Sequence, residues 1–319
     1  MPSVPLRSEL PDRWGPRAYL EARLGGLFRR AAEPAETARG ERVYAIGDVH
    51  GRLDLLRRLL RAIEADASRD ADGGRTRIVI LGDLVDRGPH SRQVLELLRF
   101  LERRDPERLV VLPGNHEDML LASTAGDAEA QRVWLKTGGD ATLRSYRLDP
   151  AEFTGLSPAE RGRVLRRTVG TDMIGWLEAR PLAHQSGDYF FCHAGVRPGV
   201  PLNKQRREDL LWIRREFLGS DRSHGAVIVH GHSVTDEAEV AHNRINVDTG
   251  AHRSGELTAV GLQGPCRWFL STTRTILHRT DLDAAREWSQ RDPGVADQLA
   301  TKSRRRRSKS APLPDAEAA

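Results

Sequence analysis

Five short segments of this 319-residue chain carry side chains able to hold divalent cations, and each directly follows an apolar run. Asp48 and His50 stand in Gly-Asp-Val-His-Gly after the run 43–46, and Asp83 stands in Gly-Asp-Leu-Val-Asp-Arg-Gly after 77–81. Asn115 and His116 occupy Gly-Asn-His-Glu after 108–112, His193 opens His-Ala-Gly after 188–192, and His232 lies in Gly-His-Ser after 226–229. Carboxylate, amide and imidazole donors without thiolates suit borderline or hard ions such as Mn2+, Fe2+ or Zn2+. Asp48, His50, Asp83, Asn115, His193 and His232 are too many for one ion that must keep water positions open. They suit two ions sharing a carboxylate. Such a pair acidifies water and stabilises both the attacking and the leaving oxygen, the two services that phosphoester hydrolysis needs. Any one of these residues alone could be a turn former or helix cap; five elements in order, each at a strand end, form a specific signal. His230 competes for the last position, and His232 is favoured because it lies beyond the strand, after Gly231.

Residues so far apart in sequence meet only if the fold gathers strand ends. The runs 43–46, 77–81 and 108–112 alternate with helical patterns over 52–66 and 92–104, which predicts βαβ units and a largely parallel sheet buried on both faces. Open α/β sheets bind ligands just beyond the carboxyl ends of their strands. Residues 117–187 break the rhythm and read as an inserted helical cap over that edge. Strands resume at 188–191 and 226–229, with a helix over 207–218 between them, and the β-type segments within 238–272 suggest a second sheet. The expected layout is an N-terminal part over 1–41, a catalytic domain over 42–272 and a polar segment over 273–319. In the first of these, Leu20, Leu24, Leu27 and Phe28 predict an amphipathic helix over 17–30, followed by a linker over 31–41.

Composition narrows the function classes. Two cysteines exclude a disulfide framework and a thiolate metal site, and Cys192, inside an apolar strand, reads as a small buried hydrophobe. No apolar run reaches the roughly 18 residues of a membrane span, and the N-terminus lacks the pattern of a signal peptide, so a soluble cytoplasmic protein is expected. The net charge of +5 owes much to the tail 302–310, which carries six Lys or Arg and no acid; the rest of the chain is near neutral. That tail reads chiefly as solvated, with nucleic-acid or acidic-partner binding as the alternative.

Together the motifs resemble the phosphoprotein phosphatase family of metallophosphoesterases, in its bacterial and phage-type serine/threonine branch. The likeness runs over about 42–265 and includes Leu-Leu-Trp-Ile-Arg at 210–214 and Val-Asp-Thr-Gly-Ala at 247–251. The resemblance implies an α/β fold, a calcineurin-like αββα sandwich of two mixed sheets flanked by helices with an inserted helical cap. It also implies two divalent ions, commonly Mn2+. Asp48, His50 and Asp83 would hold one, and Asp83, Asn115, His193 and His232 the other. His116 would be the general acid, oriented by Asp86. Arg87 and Arg214 would clamp the phosphoryl group, whose oxygens a guanidinium fork matches with two parallel hydrogen bonds.

The implied activity is a serine/threonine protein phosphatase acting on a phosphorylated protein or small phosphoester with metal-activated hydroxide. A dinucleoside polyphosphate or nucleotide phosphohydrolase is the alternative. Such relatives typically lack the Asp of the Gly-Asp-x-x-Asp-Arg-Gly motif, so Asp86 favours the phosphatase branch. A reading from another class is a non-catalytic scaffold that binds partners through the basic tail.

Overall fold

Runs of Val, Ile, Leu and aromatic residues form the strands of the computed structural model, which describes residues 34–68, 74–273 and 275–276. They are β1 (Glu41–Ile46), β2 (Arg75–Ile80), β3 (Leu109–Val111), β4 (Ala183–Ser186), β5 (Tyr189–Cys192), β6 (Val227–His230), β7 (Glu239–Val240), β8 (Arg244–Asn246), β9 (Thr258–Gln263), β10 (Cys266–Ser271) and β11 (Thr275–Ile276). They build two sheets, ordered β11-β10-β9-β1-β2-β3 and β4-β5-β6-β8-β7. β1, β2 and β3 run parallel, whereas β9 joins β1 antiparallel and β10 joins β9 antiparallel. In the second sheet β5, β6 and β8 run parallel, with β4 and β7 antiparallel at its edges.

Both faces of the central strands are apolar, and the two sides bury against different partners. Val43, Ala45, Val79 and Leu81 face the second sheet and pack with Tyr189, Phe191, Val229 and Ile245. Their strand neighbours Tyr44, Ile46, Ile78 and Ile80 point the other way. There they meet Leu56, Leu59 and Ile63 of the helix Leu53–Ala67 and Val94, Leu95 and Leu98 of the helix Ser91–Arg104. On the outer face of the second sheet, Phe190, Cys192 and Ile228 pack against Leu210, Ile213 and Phe217. The layers are therefore helix, sheet, sheet, helix. Each large apolar side chain buried this way contributes roughly 1.5–3 kcal/mol relative to leaving it in water.

Three expectations change. The first sheet is mixed, as the resemblance implies, since β9 and β10 return to it antiparallel, but the segment 238–272 is divided between the sheets, with only β7 and β8 in the second. The inserted helices end at Glu178, and 183–186 is a strand. The expected helix over 207–218 is broken into Arg207–Trp212 and Arg215–Leu218, since Ile213 is extended at ψ 143° and Arg214 sits at φ −135°, ψ −91°. Hydrophobic spacing could not reveal that break, because Leu210, Ile213 and Phe217 still pack into one buried cluster.

The insertion is helical as expected: Asn115–Thr124, Ala128–Trp134, Asp140–Ser145, Pro150–Gly155, Pro158–Val169 and Thr171–Glu178. Local chemistry fixes its starts. Asp127 and Asp149 cap two helices through side-chain oxygens, and Ser157 with Glu160 forms a capping box ahead of a third. Trp134, Leu143, Phe153, Leu165 and Met173 join the same core as the outer helices of the first sheet. The segments 17–30 and 302–310 lie outside the described residues. No described helix is long and apolar enough to cross a membrane.

Candidate metal centre

The site is assembled from turns that leave the strands at their carboxyl ends. β1 delivers Asp48 and His50, β2 delivers Asp83, Asp86 and Arg87, and β3 leads into Asn115 and His116 at the start of a helix. β5 delivers His193 and β6 delivers His232. These turns are tight. Six non-glycine residues among those described have positive φ, and five of them are His50, Asp83, Asp86, Arg87 and His232, at φ 44° to 72°. Side chains disfavour this region, at about 1–3 kcal/mol each, and such strain gathers where function fixes the backbone. The flanking glycines give room: a Cβ at Gly114 would lie 2.1 Å from Asp83 Oδ1, and one at Gly231 would lie 2.2 Å from Asp48 Oδ1.

Asp83 is the hub. Its Oδ2 lies 3.4 Å from His50 Nε2 and 3.9 Å from His116 Nε2, and its Oδ1 lies 3.4 Å from His193 Nε2. Backbone carbonyls set the tautomers. His50 Nδ1 donates to Val85 O at 2.8 Å and His193 Nδ1 donates to Leu81 O at 2.9 Å, so both Nε2 atoms present lone pairs to the hub. His193 Nε2 lies 3.0 Å from Asn115 Oδ1 and 3.2 Å from His232 Nδ1. With the His232 proton on Nε2, these are acceptors facing acceptors, an arrangement that a divalent cation resolves. Asp83, His193 and His232 meet the spacing of a metal-holding group, as do His50, Asp83 and His116. Asn115 adds its amide oxygen to the former.

Asp48 is brought to the same place but is held differently. Both its oxygens accept the His232 N–H, at 3.2 Å each. Burial, then the charges of Asp248 and Asp83, push its carboxyl well above the usual range. Burial raises Asp248 as well, and its Oδ2 is buried without a partner. Two buried acids side by side demand a proton or a cation, so this corner also fits an ion. Burial opposes ionisation of Asp83, but the surrounding His193, His116, His50 and His232 outweigh it and hold the carboxylate far below its ordinary range. Burial, followed by the neighbouring His193, pushes His232 down to about 2, leaving a neutral ligand. His230 is not part of the group. Its ring lies edge-on to Phe217 and its Nδ1 donates to Gly231 O.

His116 and Asp86 form a dyad, with Nδ1 2.6 Å from Oδ2. Burial lowers the His116 pKa, yet Asp83 and Asp86 outweigh it and the net shift is upward. The inserted helices fix the carboxylate: Trp134 Nε1 donates to both Asp86 oxygens at 2.9 and 3.0 Å, and Thr142 Oγ1 donates to Oδ1 at 2.6 Å. Arg87 spreads its guanidinium across the mouth, 2.8 Å from His50 Nε2 and 3.0 Å from His116 Nε2. Arg214 is exposed at the helix break, near enough for its charge to act on His232.

Several residues near the site had no assigned role in the sequence reading. Glu117 accepts the amides of Leu84, Val85 and Gly114, tying the Asp83 turn to the Asn115 turn. Its place three residues after Gly114 is a capping-box signal. Asp248 lies in Val-Asp-Thr-Gly-Ala, a segment matched only as a pattern. Trp134, Thr142 and His252, whose ring lies edge-on to His50, carry no local motif.

A 163-residue match to the symmetrical bis(5'-nucleosyl)-tetraphosphatase of Dechloromonas aromatica is 33% identical and covers 51% of this chain and 47% of that protein. The enzyme of the same name from Methylococcus capsulatus is 36% identical over 49% of this chain and 44% of its own length. The chain thus spans about half the length of these symmetrical relatives. The asymmetrical bis(5'-nucleosyl)-tetraphosphatase PrpE of Halalkalibacterium halodurans is 28% identical over 67% of this chain and 87% of its own. Among solved structures, a cold-active protein-tyrosine phosphatase from a Shewanella species aligns at TM-score 0.47 and 20% identity, over 76% of this chain and 83% of its own. A serine/threonine phosphatase from Saccharomyces cerevisiae aligns at 0.45 and 17%, over 77% and 82%. The family model for calcineurin-like phosphoesterases matches residues 41–260, which span every strand-end turn of the site. With its sheets, its turns and its Asp83-centred donors accounted for, the chain belongs to the calcineurin-like phosphoesterase family.

Proposed function

We propose that this phosphoesterase hydrolyses dinucleoside polyphosphates. The observation that carries the reading is that symmetrical and asymmetrical bis(5'-nucleosyl)-tetraphosphatases both align with this chain, over 49% and 67% of it. Calcineurin-like phosphoesterases use two divalent ions. Asp48, His50 and Asp83 would hold one, and Asp83, Asn115, His193 and His232 the other. When bound, the ions supply Lewis acidity and lower the pKa of water toward about 7.

The chain's own residues supply the rest. Arg87 and Arg214 present guanidinium groups to the phosphoryl oxygens. A phosphoryl group between His50 and His116 takes over the Arg87 donors, which frees His116 Nε2 to carry a proton toward the leaving oxygen. Asp86 holds that imidazole by its Nδ1, and Trp134 and Thr142 hold Asp86.

A second reading rests on that dyad. A phosphate leaves a polyphosphate readily, whereas an alkoxide leaving a phosphoserine or phosphothreonine needs a proton. A buried, fully braced His116–Asp86 pair suits the harder departure, so a protein phosphatase activity is the competing proposal. A panel of diadenosine tetraphosphate, phosphopeptides and p-nitrophenyl phosphate, assayed with Mn2+, Fe2+ or Zn2+, decides between them. The highest kcat/KM is expected on diadenosine tetraphosphate, and a higher value on phosphopeptides would reverse the order of the readings.

A further inference from the structure

We infer that His252 is a second phosphate-binding residue, which with Arg87 and Arg253 holds the phosphate next to the one attacked; this rests on the dinucleoside polyphosphate reading above. His252 lies on the short helix Ala251–Ser254, half-buried, with its ring edge-on to His50 at a centroid distance of 5.2 Å and an interplanar angle of 83°. That places it on the Arg87 side of the centre. Its Nδ1 is buried without a hydrogen-bond partner. Native interiors rarely leave such an atom unserved without a functional reason.

The surroundings indicate what is to be bound. Arg87, Arg253, His116 and Arg52 all lie near enough for their charge to act on His252. Arg52 is already committed: it grips Asp54 and donates from Nη1 to Ala251 O at 2.9 Å, fixing the backbone beside His252. Arg253 is exposed and makes no ion pair with a described residue. A half-buried imidazole with guanidinium groups near it matches the multiple oxygens of a phosphate. One phosphoryl group is already served by the ion-holding residues with Arg87 and Arg214. A polyphosphate chain presents another beside it, and His252, packed on His50 and followed by Arg253, would offer that phosphate donors.

A packing role for His252, merely bracing His50, makes different predictions, and three measurements on the full chain separate the two. Kinetics are compared on diadenosine tetraphosphate and p-nitrophenyl phosphate for the wild type, H252A and H252Q. Calorimetry measures binding of inorganic tripolyphosphate, and elemental analysis counts ions per chain. In H252A the ratio of kcat/KM for the tetraphosphate to that for the aryl phosphate should fall about tenfold, through KM, as befits one hydrogen bond to a charged group. Tripolyphosphate affinity should drop by a similar factor, the ion count should match the wild type, and H252Q, which keeps an N–H donor, should recover part of the loss. An equal loss on both substrates, a lower ion count, or unaltered tripolyphosphate affinity would overturn the inference alone. A wild type inactive on diadenosine tetraphosphate would overturn the substrate reading and this inference with it.

Discussion

Replacing Asp86 with Asn tests the role of the His116–Asp86 pair without removing either side chain's bulk. The carboxylate is fully buried and accepts from three side chains: His116 Nδ1 at 2.6 Å, Thr142 Oγ1 at 2.6 Å, and Trp134 Nε1 at 2.9 and 3.0 Å. An amide offers one acceptor oxygen and sets an NH2 against at least one of these donors. If its oxygen faces His116, its NH2 meets the indole N–H and the Thr142 hydroxyl. If it is flipped, His116 faces a donor and must shift its proton to Nε2. Either way the charge that favours the protonated imidazole is gone, while burial, which lowers the His116 pKa, remains.

The expected stability loss is about 1–3 kcal/mol, the usual cost of leaving a buried polar group unsatisfied. The kinetic effect should depend on the leaving group. General acid catalysis contributes roughly 10²–10⁴-fold where the leaving oxygen needs a proton. An alkyl phosphate such as a phosphoserine peptide should therefore lose about 10²-fold or more in kcat. p-Nitrophenyl phosphate, whose phenolate leaves without help, should lose much less. Steady-state assays of both substrates on the same preparations, with ion content checked, read this out. An equal loss on both, or none on either, would refute the assignment of His116 as a general acid braced by Asp86.

Two further predictions follow from the site's surroundings. In G231A the new Cβ must displace Asp48, because it would lie 2.2 Å from Oδ1; calorimetry should show weakened binding of one ion, and unaltered affinity at both sites would contradict the placement of Asp48. His230 is buried, and burial pushes its pKa down to about 4. The unfolded chain, with an ordinary histidine value near 6.5, therefore takes up a proton that the fold refuses, and stability present above about pH 6.5 is lost as the pH falls toward about 4. Urea unfolding of metal-stripped protein should show this slope, and H230Q should flatten it; equal slopes in both proteins would remove His230 as the cause.

How far the sequence reveals the structure depends on how local the determining interactions are. The strand-end motifs show the donor set because each ligand is tied to its own strand by a short turn. The strands β1, β2 and β3 and the helices between them are visible because their apolar periodicity is continuous. Sheet membership is less visible. Nothing local in Thr258–Gln263 states that it pairs with β1 instead of joining the second sheet, since a strand buried nearly along its whole length suits either place. The helix break at Arg214 hides because the buried face runs on across it. The contacts of Trp134 and Thr142 with Asp86 span 48 and 56 residues, so no motif holds both ends. His252 is a lone histidine in sequence and gains meaning only beside His50 and the arginines.

Asp83 would join two ion-holding groups, and ion stoichiometry tests this most directly. Protein stripped with chelator and titrated with Mn2+ by calorimetry, with elemental analysis after desalting, should take up two ions per chain, whereas D83N should lose high affinity at both sites while remaining folded by circular dichroism. A wild type that binds only one ion, or a D83N protein that still binds two with wild-type affinity, would contradict it.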